Sequence, residues 1–193
     1  MTPLPDSLLD SLAAEAVREG LADALYTPLD SPLGRLTVVT GAGGGLLRIA
    51  YPEFAEDDVL ATIADRVGPR VLRAPRELRD TTDALLAWLE GDLPGDLALP
   101  VDLSLVTAPF RRTVLETLRS ATHRGTTVSY GELAALAGNP GAARAVGTAM
   151  ATNPVPVVVP CHRVLPSTGR LGTYTGGVER KAALLTLEGS LPA

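Results

Sequence analysis

The chain has very little of the residues that build disulfides and metal sites: one cysteine and two histidines in 193 residues. A lone thiol cannot close an internal disulfide and is most at home in a reducing compartment, so a cytoplasmic protein is expected. No apolar run reaches the roughly 18 residues that a membrane-spanning helix needs, so no membrane partner is expected. Met1–Asp10 carries acids and no basic flank ahead of an apolar segment, which argues against a secretory leader. The glycine-rich Gly41–Gly45 is not followed by Lys-Ser/Thr and runs into strand-like residues. It reads as a turn rather than a phosphate cradle.

What is present suits one or two compact domains, with 46% hydrophobic residues and a net charge of −5. That charge is unevenly spread. Residues 1–108 hold 8 Arg against 18 Asp and Glu, a net of −10, whereas residues 109–193 hold 9 Lys and Arg against 4 acids, a net of +5. Only the second half is suited to face a polyanion, although a solubility device with no partner accounts for the imbalance equally well. Residues 6–24 have helical spacing, and Tyr26–Tyr51 reads as strands, with Arg35–Thr40 and Leu46–Ala50 flanking the glycine turn. Helices are predicted at Asp57–Val67 and Pro75–Glu90, and a further strand at Leu97–Leu103. Trp88 reads as packing.

Beyond a linker near Val106–Pro109, a helix is predicted over Phe110–Ser120. Ser129 with Glu132 three residues on forms a capping-box signature for a helix at Tyr130–Ala137. Gly138-Asn139-Pro140-Gly141 ends that helix, and a second spans Ala142–Ala151. Two short helices about a glycine-containing turn give the helix-turn-helix pattern. The second helix is unusual for a major-groove reader. It carries Arg144 among Ala, Val, Gly and Thr and lacks the Arg, Asn and Gln that read base edges. Small residues let a helix approach a narrow groove closely with one arginine free to insert. An Ala/Gly-rich helix packed on another, with Arg144 merely solvated, accounts for the same residues.

The chain is organised around Pro160-Cys161-His162-Arg163-Val164. Before it, Asn153–Val159 is an apolar run of valines and prolines, read as a stiff strand that delivers the cysteine to a set position. Free cysteine is often plain core. A Cys-His-Arg triplet buries badly in that role, whereas an imidazole beside a thiol is a common way to generate a thiolate nucleophile. The last helix, Val178–Leu187, ends at Glu188, a carboxylate of the type that orients an imidazole partner.

Six segments occur in order: Val128-Ser-Tyr-Gly-Glu-Leu-Ala, Ala143-Arg-Ala-Val-Gly-Thr-Ala-Met, Asn153-Pro-Val-Pro, Pro160-Cys-His-Arg-Val, Gly172-Thr-Tyr-Thr-Gly-Gly and Leu187-Glu-Gly. Together they closely resemble the O6-alkylguanine-DNA alkyltransferases, most strongly over 109–190 and more weakly over Tyr26–Pro52. The resemblance implies an α+β protein: an extension at 1–25, a small ribonuclease-H-like α/β domain at 26–105, and a mainly helical domain with the helix-turn-helix at 106–193. It implies a monomer acting on double-stranded DNA that contains O6-alkylguanine, without metal or organic cofactor. Cys161 matches the alkyl acceptor, His162 the residue that draws off its proton through a water, and Glu188 the carboxylate behind it. Tyr130, Tyr174 and Thr175 match residues around the extruded base, and the Val164 carbonyl matches an acceptor for its exocyclic amine. Arg144 matches the finger that fills the vacated stack, and Asn153 the tie between the helix-turn-helix and the cysteine turn. Arg111, Gly131, Asn139 and Ser167 complete the implied DNA contacts, Arg111 being suited to a phosphate. The transfer would be used once per lesion, since a thioether is not hydrolysed.

Two positions depart from the family pattern. No tryptophan follows in the helix after Phe110, and Thr173 stands where asparagine is common before Tyr174. The metal ligands that some members carry in the first domain have no counterpart, because that half holds neither Cys nor His. A cysteine hydrolase built on Cys161, His162 and Glu188 is the competing enzyme reading. Against it, hydrolases draw the base from a distant segment. A DNA-binding protein that recognises the lesion without transfer is the competing non-enzyme reading, and the retained cysteine speaks against it.

Overall fold

A computed structural model of the chain describes residues 6–191. Residues 1–5 of the expected extension, and 192–193, lie outside the described residues. The protein is a mixed α+β structure that divides into two compact units, residues 1–87 with 99–102 and residues 88–98 with 103–193. Residues 88–98, assigned to the first domain from the sequence, thus group with the second, and the extension groups with the first.

In the first unit, α1 (Asp6–Arg18) precedes a four-stranded sheet of β1 (Ala24–Ser31), β2 (Gly34–Gly41), β3 (Leu46–Ala50) and β4 (Val71–Arg73), ordered β3-β2-β1-β4. β1 and β2 form an antiparallel hairpin, with Ala24 opposite Gly41 and Ser31 opposite Gly34. Its tight end needs the left-handed backbone of Gly34, at φ 97°. β2 and β3 are antiparallel with a bulge at Val39/Thr40, whereas β4 runs parallel to β1, separated from β3 in sequence by α2 (Glu56–Arg66). Leu36, Val38, Val39, Leu46, Leu47 and Ile49 are buried in this core. The Gly41–Gly45 segment is the expected turn, closed by Gly41 N–H to the Gly45 carbonyl at 2.9 Å. The strand expected over Leu97–Leu103 reduces to one parallel bridge between Val101 and Leu46. Pro100 supplies only a carbonyl there, with no N–H for a ladder. The helix expected from Pro75 begins four residues later as α3 (Arg79–Glu90).

The second unit contains α4 (Pro109–Ala121), α5 (Tyr130–Leu136), α6 (Ala143–Ala151) and α7 (Val178–Leu187). α4 buries Val114, Leu115 and Leu118, α5 buries Leu133 and Ala134, and α6 buries Val146, Ala149 and Met150, where the three helices meet. The capping box forms as the sequence predicts. Ser129 Oγ accepts from Glu132 N–H at 3.2 Å, and the Glu132 carboxylate accepts from Ser129 N–H at 2.8 Å. Gly138, at φ 82°, reverses the chain between α5 and α6. Two short strands, β5 (Val128–Ser129) and β6 (Val164–Leu165), pair in parallel, so the start of α5 lies beside the residue that follows the cysteine turn. Trp88 is packing, as expected: it is buried, and its indole N–H donates to the Gly95 carbonyl at 2.9 Å.

The segment ahead of the cysteine is not a strand. Residues 153–160 form a buried turn in which Val159 N–H reaches back to the Val155 carbonyl at 2.9 Å. Pro154 and Pro156 have no N–H to give a ladder, and this outweighs the β-preference of the valines. Asn153 takes the place of the missing strand partner. Its Oδ1 accepts from Val155 N–H at 3.1 Å, and its Nδ2 donates to the Val159 carbonyl at 2.8 Å. Val157 sits at φ 74°, a left-handed conformation that is strained for a β-branched residue and is held by the burial around it.

Candidate active site

Cys161 opens a single 3₁₀ turn, Cys161–Arg163, directly after that pinned loop. It forms part of the lining of a cavity of about 200 Å³, together with Tyr130, Gly147, Met150, Ala151, Thr173, Tyr174 and Thr175. Only 4% of the residue is exposed. Asn153 Nδ2, already bonded to the Val159 carbonyl, lies 3.1 Å from Sγ, so one amide pins both the loop and the sulfur. Burial pushes the thiol pKa up, against hydrogen bonds from Asn153 and Tyr174 and the charge of Lys181, which offset it only in part. The resting group is therefore a thiol, and a base is needed to expose its lone pair.

The next residue in the chain carries an imidazole. His162 is fully buried, and burial pulls its pKa down against the opposing pull of Glu188, which favours the neutral imidazole. Nε2 lies 3.0 Å from Glu188 Oε1. A neutral ring that donates from Nε2 to this carboxylate leaves Nδ1 as its lone-pair acceptor, and Nδ1 is buried with no hydrogen-bond partner among the described residues. Glu188 caps the C-terminal end of α7. Burial pushes its carboxyl up, but the bonds from His162 and Arg163 more than offset this, holding it below the usual carboxylate range.

Sequence reasoning left the rest of this cluster unassigned. Arg163 is buried and forks onto Glu188, with Nε 3.0 Å from Oε2 and Nη2 2.8 Å from Oε1. Its Nη1 donates to the Thr122 carbonyl at 2.7 Å, and Nη2 also meets Asp96 Oδ1 at 2.8 Å. Lys181 is buried on α7 and donates from Nζ to the Val164 carbonyl at 2.8 Å. Burial pulls its pKa down, against the charge of Cys161. The signal for Lys181 was in plain view: it is the only lysine of a chain that otherwise uses arginine. The Val164 carbonyl therefore has one lone pair engaged by Lys181 and one left for another donor.

The remaining expected residues fall into two groups. Tyr130, at the first position of α5, Tyr174 and Thr175 line the cavity, with the Thr175 hydroxyl donating to the Ala151 carbonyl at 3.1 Å. Burial and the charge of Cys161 both raise the Tyr130 phenol, which keeps it a proton-bearing donor. Gly147 and Met150 join this lining with no signal in the sequence to mark them. Arg111, Gly131, Asn139, Arg144 and Ser167 are not among the residues that line the cavity. Gly131, Asn139, Arg144 and Ser167 are exposed, and Arg111 reaches Thr152 Oγ1 at 3.3 Å. Ser167 lines a separate hollow with Thr127, Ser129 and Glu132. Among the described residues no group of three or more His, Cys, Asp or Glu could hold a metal ion, and no helix is long and apolar enough to cross a membrane.

Fold and site together define a mixed α+β protein built around one thiol with an imidazole–carboxylate pair behind it. Residues 109–190 match the family described as 6-O-methylguanine DNA methyltransferase, DNA binding domain. The chain is 41% identical over 172 residues to the methylated-DNA–protein-cysteine methyltransferase of Rattus norvegicus, covering 85% of this chain and 81% of that protein. It is 43% identical over 163 residues to the protein of the same name from Mycolicibacterium paratuberculosis, covering 84% and 91%. A crystal structure of Mycobacterium tuberculosis OGT in complex with DNA superposes with a TM-score of 0.73 at 36% identity, over 86% of this chain and 93% of that one. The chain belongs to the methylated-DNA–protein-cysteine methyltransferase family.

Proposed function

We propose that the chain repairs DNA by moving the alkyl group of O6-alkylguanine, and of O4-alkylthymine where it fits, onto its own Cys161 in one irreversible turnover. The observation that carries the reading is the buried thiol in the wall of a cavity, followed in the chain by a neutral His162 that Glu188 backs. In the transfer, His162 accepts the thiol proton, through a water as in the family. The sulfur lone pair forms the new S–C bond, and the C–O6 pair stays on guanine. That oxygen then takes a proton, so thiol plus alkylguanine becomes thioether plus guanine. Glu188 stabilises the imidazolium as it forms. Donors at the departing oxygen lower the barrier; Tyr174 and Thr175 are read as those donors, Thr175 once its hydroxyl leaves the Ala151 carbonyl.

The target oxygen is inside a duplex, so the nucleotide must be extruded at a cost of a few kcal/mol. α5 and α6 are read as a helix-turn-helix laid along the minor groove of double-stranded DNA, with the small residues of α6 against the backbone. Arg144 enters the stack, Tyr130 turns the 3′ phosphate, and Arg111, Gly131, Asn139, Asn153 and Ser167 hold the strand or the loop that faces it. The free lone pair of the Val164 carbonyl takes the exocyclic amine. The first unit is read as the ribonuclease-H-like domain of the family, and the protein as acting as a monomer without a cofactor. Incubation with an oligonucleotide carrying O6-methylguanine, followed by intact-mass and peptide analysis, tests the reading. One added methylene confined to the Cys161 peptide is expected; an unmodified protein would overturn the assignment.

A further inference from the structure

The guanidinium of Arg163 is shared between two carboxylates. One is Glu188, the partner of His162; the other is Asp96, from the segment that follows α3 and lies outside the residues matched by the DNA-binding-domain family. Asp96 is well anchored for a loop residue. Its Oδ1 accepts from Arg163 Nη2 at 2.8 Å and from Arg124 N–H at 2.8 Å, and its Oδ2 lies 2.9 Å from His123 Nδ1. Its segment is fastened by the Trp88 indole on the Gly95 carbonyl and by Arg124 Nη1 on the Leu93 carbonyl at 3.0 Å. Arg124 also donates from Nη2 to the Leu187 carbonyl at 2.9 Å, next to Glu188.

We propose that Asp96 is a positioning residue for the Cys161–His162–Glu188 relay, acting through the guanidinium it shares with Glu188. The inference rests on the reading of Cys161 as the alkyl acceptor. A guanidinium facing Glu188 alone would neutralise that carboxylate and weaken its hold on an imidazolium at His162. A second carboxylate on the far side of Arg163 divides the positive charge and leaves Glu188 more of its own. It also fixes the plane of the guanidinium, and with it the direction of Glu188 Oε1. The other charged groups facing the cluster are Lys181 on α7 and, beside Asp96, His123 and Arg124. Arg119 lines a cavity of about 210 Å³ together with Asp96 and Arg163. Burial pushes the Asp96 carboxyl up, but the bond from His123 and the charge of Arg163 outweigh it, so Asp96 is ionised at neutral pH.

Asp96→Asn tests this, because an amide oxygen can keep the two bonds accepted at Oδ1, from Arg163 and Arg124, while the charge is lost. The probe is free O6-benzylguanine, which needs no DNA binding, and the readout is the rate of Cys161 alkylation against pH. Loss of the charge lowers the basicity of His162, so the imidazole takes up less of the thiol proton at neutral pH. The variant should therefore run about three- to tenfold slower on the rising limb and converge with the parent at alkaline pH, where the thiol ionises without help. Asp96→Glu should restore much of the neutral-pH rate. A purely structural lesion would depress the rate equally at every pH. Equal depression, or superposed profiles for parent and Asp96→Asn, would overturn the inference. Failure of the parent protein to be alkylated would instead overturn the alkyl-acceptor reading.

Discussion

Replacing Glu188 by Gln keeps the shape of the side chain and removes its charge. The Glu188 side chain is 0% exposed and that of Arg163 is 3% exposed, so neither can turn to water. The variant leaves Arg163 with Asp96 as its one carboxylate partner, beside the Thr122 carbonyl. Breaking a buried pair from one side costs about 3–5 kcal/mol, and the remaining Asp96 contact places this case near the lower end, at about 3 kcal/mol. A chain of this size loses about 2–4 °C of Tm per kcal/mol, so a fall of about 6–12 °C is expected at neutral pH. Trp88, the only tryptophan, is buried in the second unit, so its fluorescence follows the unfolding of the unit concerned. The pH dependence has a definite sign. The folded-state carboxyl is held below its unfolded value, so its contribution is present above about pH 4.3 and is lost as pH falls through the folded value. Parent and variant should differ most at neutral pH and converge in acid. A variant that melts within about a degree of the parent at neutral pH, or a gap that persists unchanged in acid, would refute this account of the cluster.

Other perturbations follow from the same geometry. Asn153→Ala strips the loop of its pin and leaves the Val155 N–H and the Val159 carbonyl buried without that partner. A loss of about 2–4 kcal/mol in urea denaturation is expected, with the thiol titrating at higher pH in iodoacetamide labelling. Lys181→Met removes the cation that favours the thiolate, so alkylation by O6-benzylguanine should slow at neutral pH and its pH profile should shift to the alkaline side. Arg144→Ala should impair transfer from a duplex lesion and spare transfer from free O6-benzylguanine; equal loss on both would contradict the finger role.

Local signals carried well from sequence to structure. The Ser129–Glu132 capping box is a contact three residues apart, and it forms where the sequence placed it. The adjacent Cys161 and His162 were legible for the same reason. The valine-rich loop departs from the expected strand because its two prolines outweigh the β-propensity of the valines, and because a side chain, Asn153, supplies bonds that a strand would take from a neighbour. Asp96 and the partners of Arg163 were out of reach. Arg163 finds Glu188 25 residues away and Thr122 41 residues away, and nothing in periodicity or spacing encodes such meetings.

The two-residue β5–β6 rung joins the helix start that bears Tyr130 to the backbone just beyond Cys161. The bore of the cavity is thereby fixed by main-chain pairing, leaving side chains to trim it. Gly147 offers the place to do so. A methyl added there would rest 4.0 Å from the Tyr130 ring, an ordinary contact that shrinks the space without moving its walls. An alanine at 147 would thus act as a gauge, admitting methyl adducts while turning away bulkier ones.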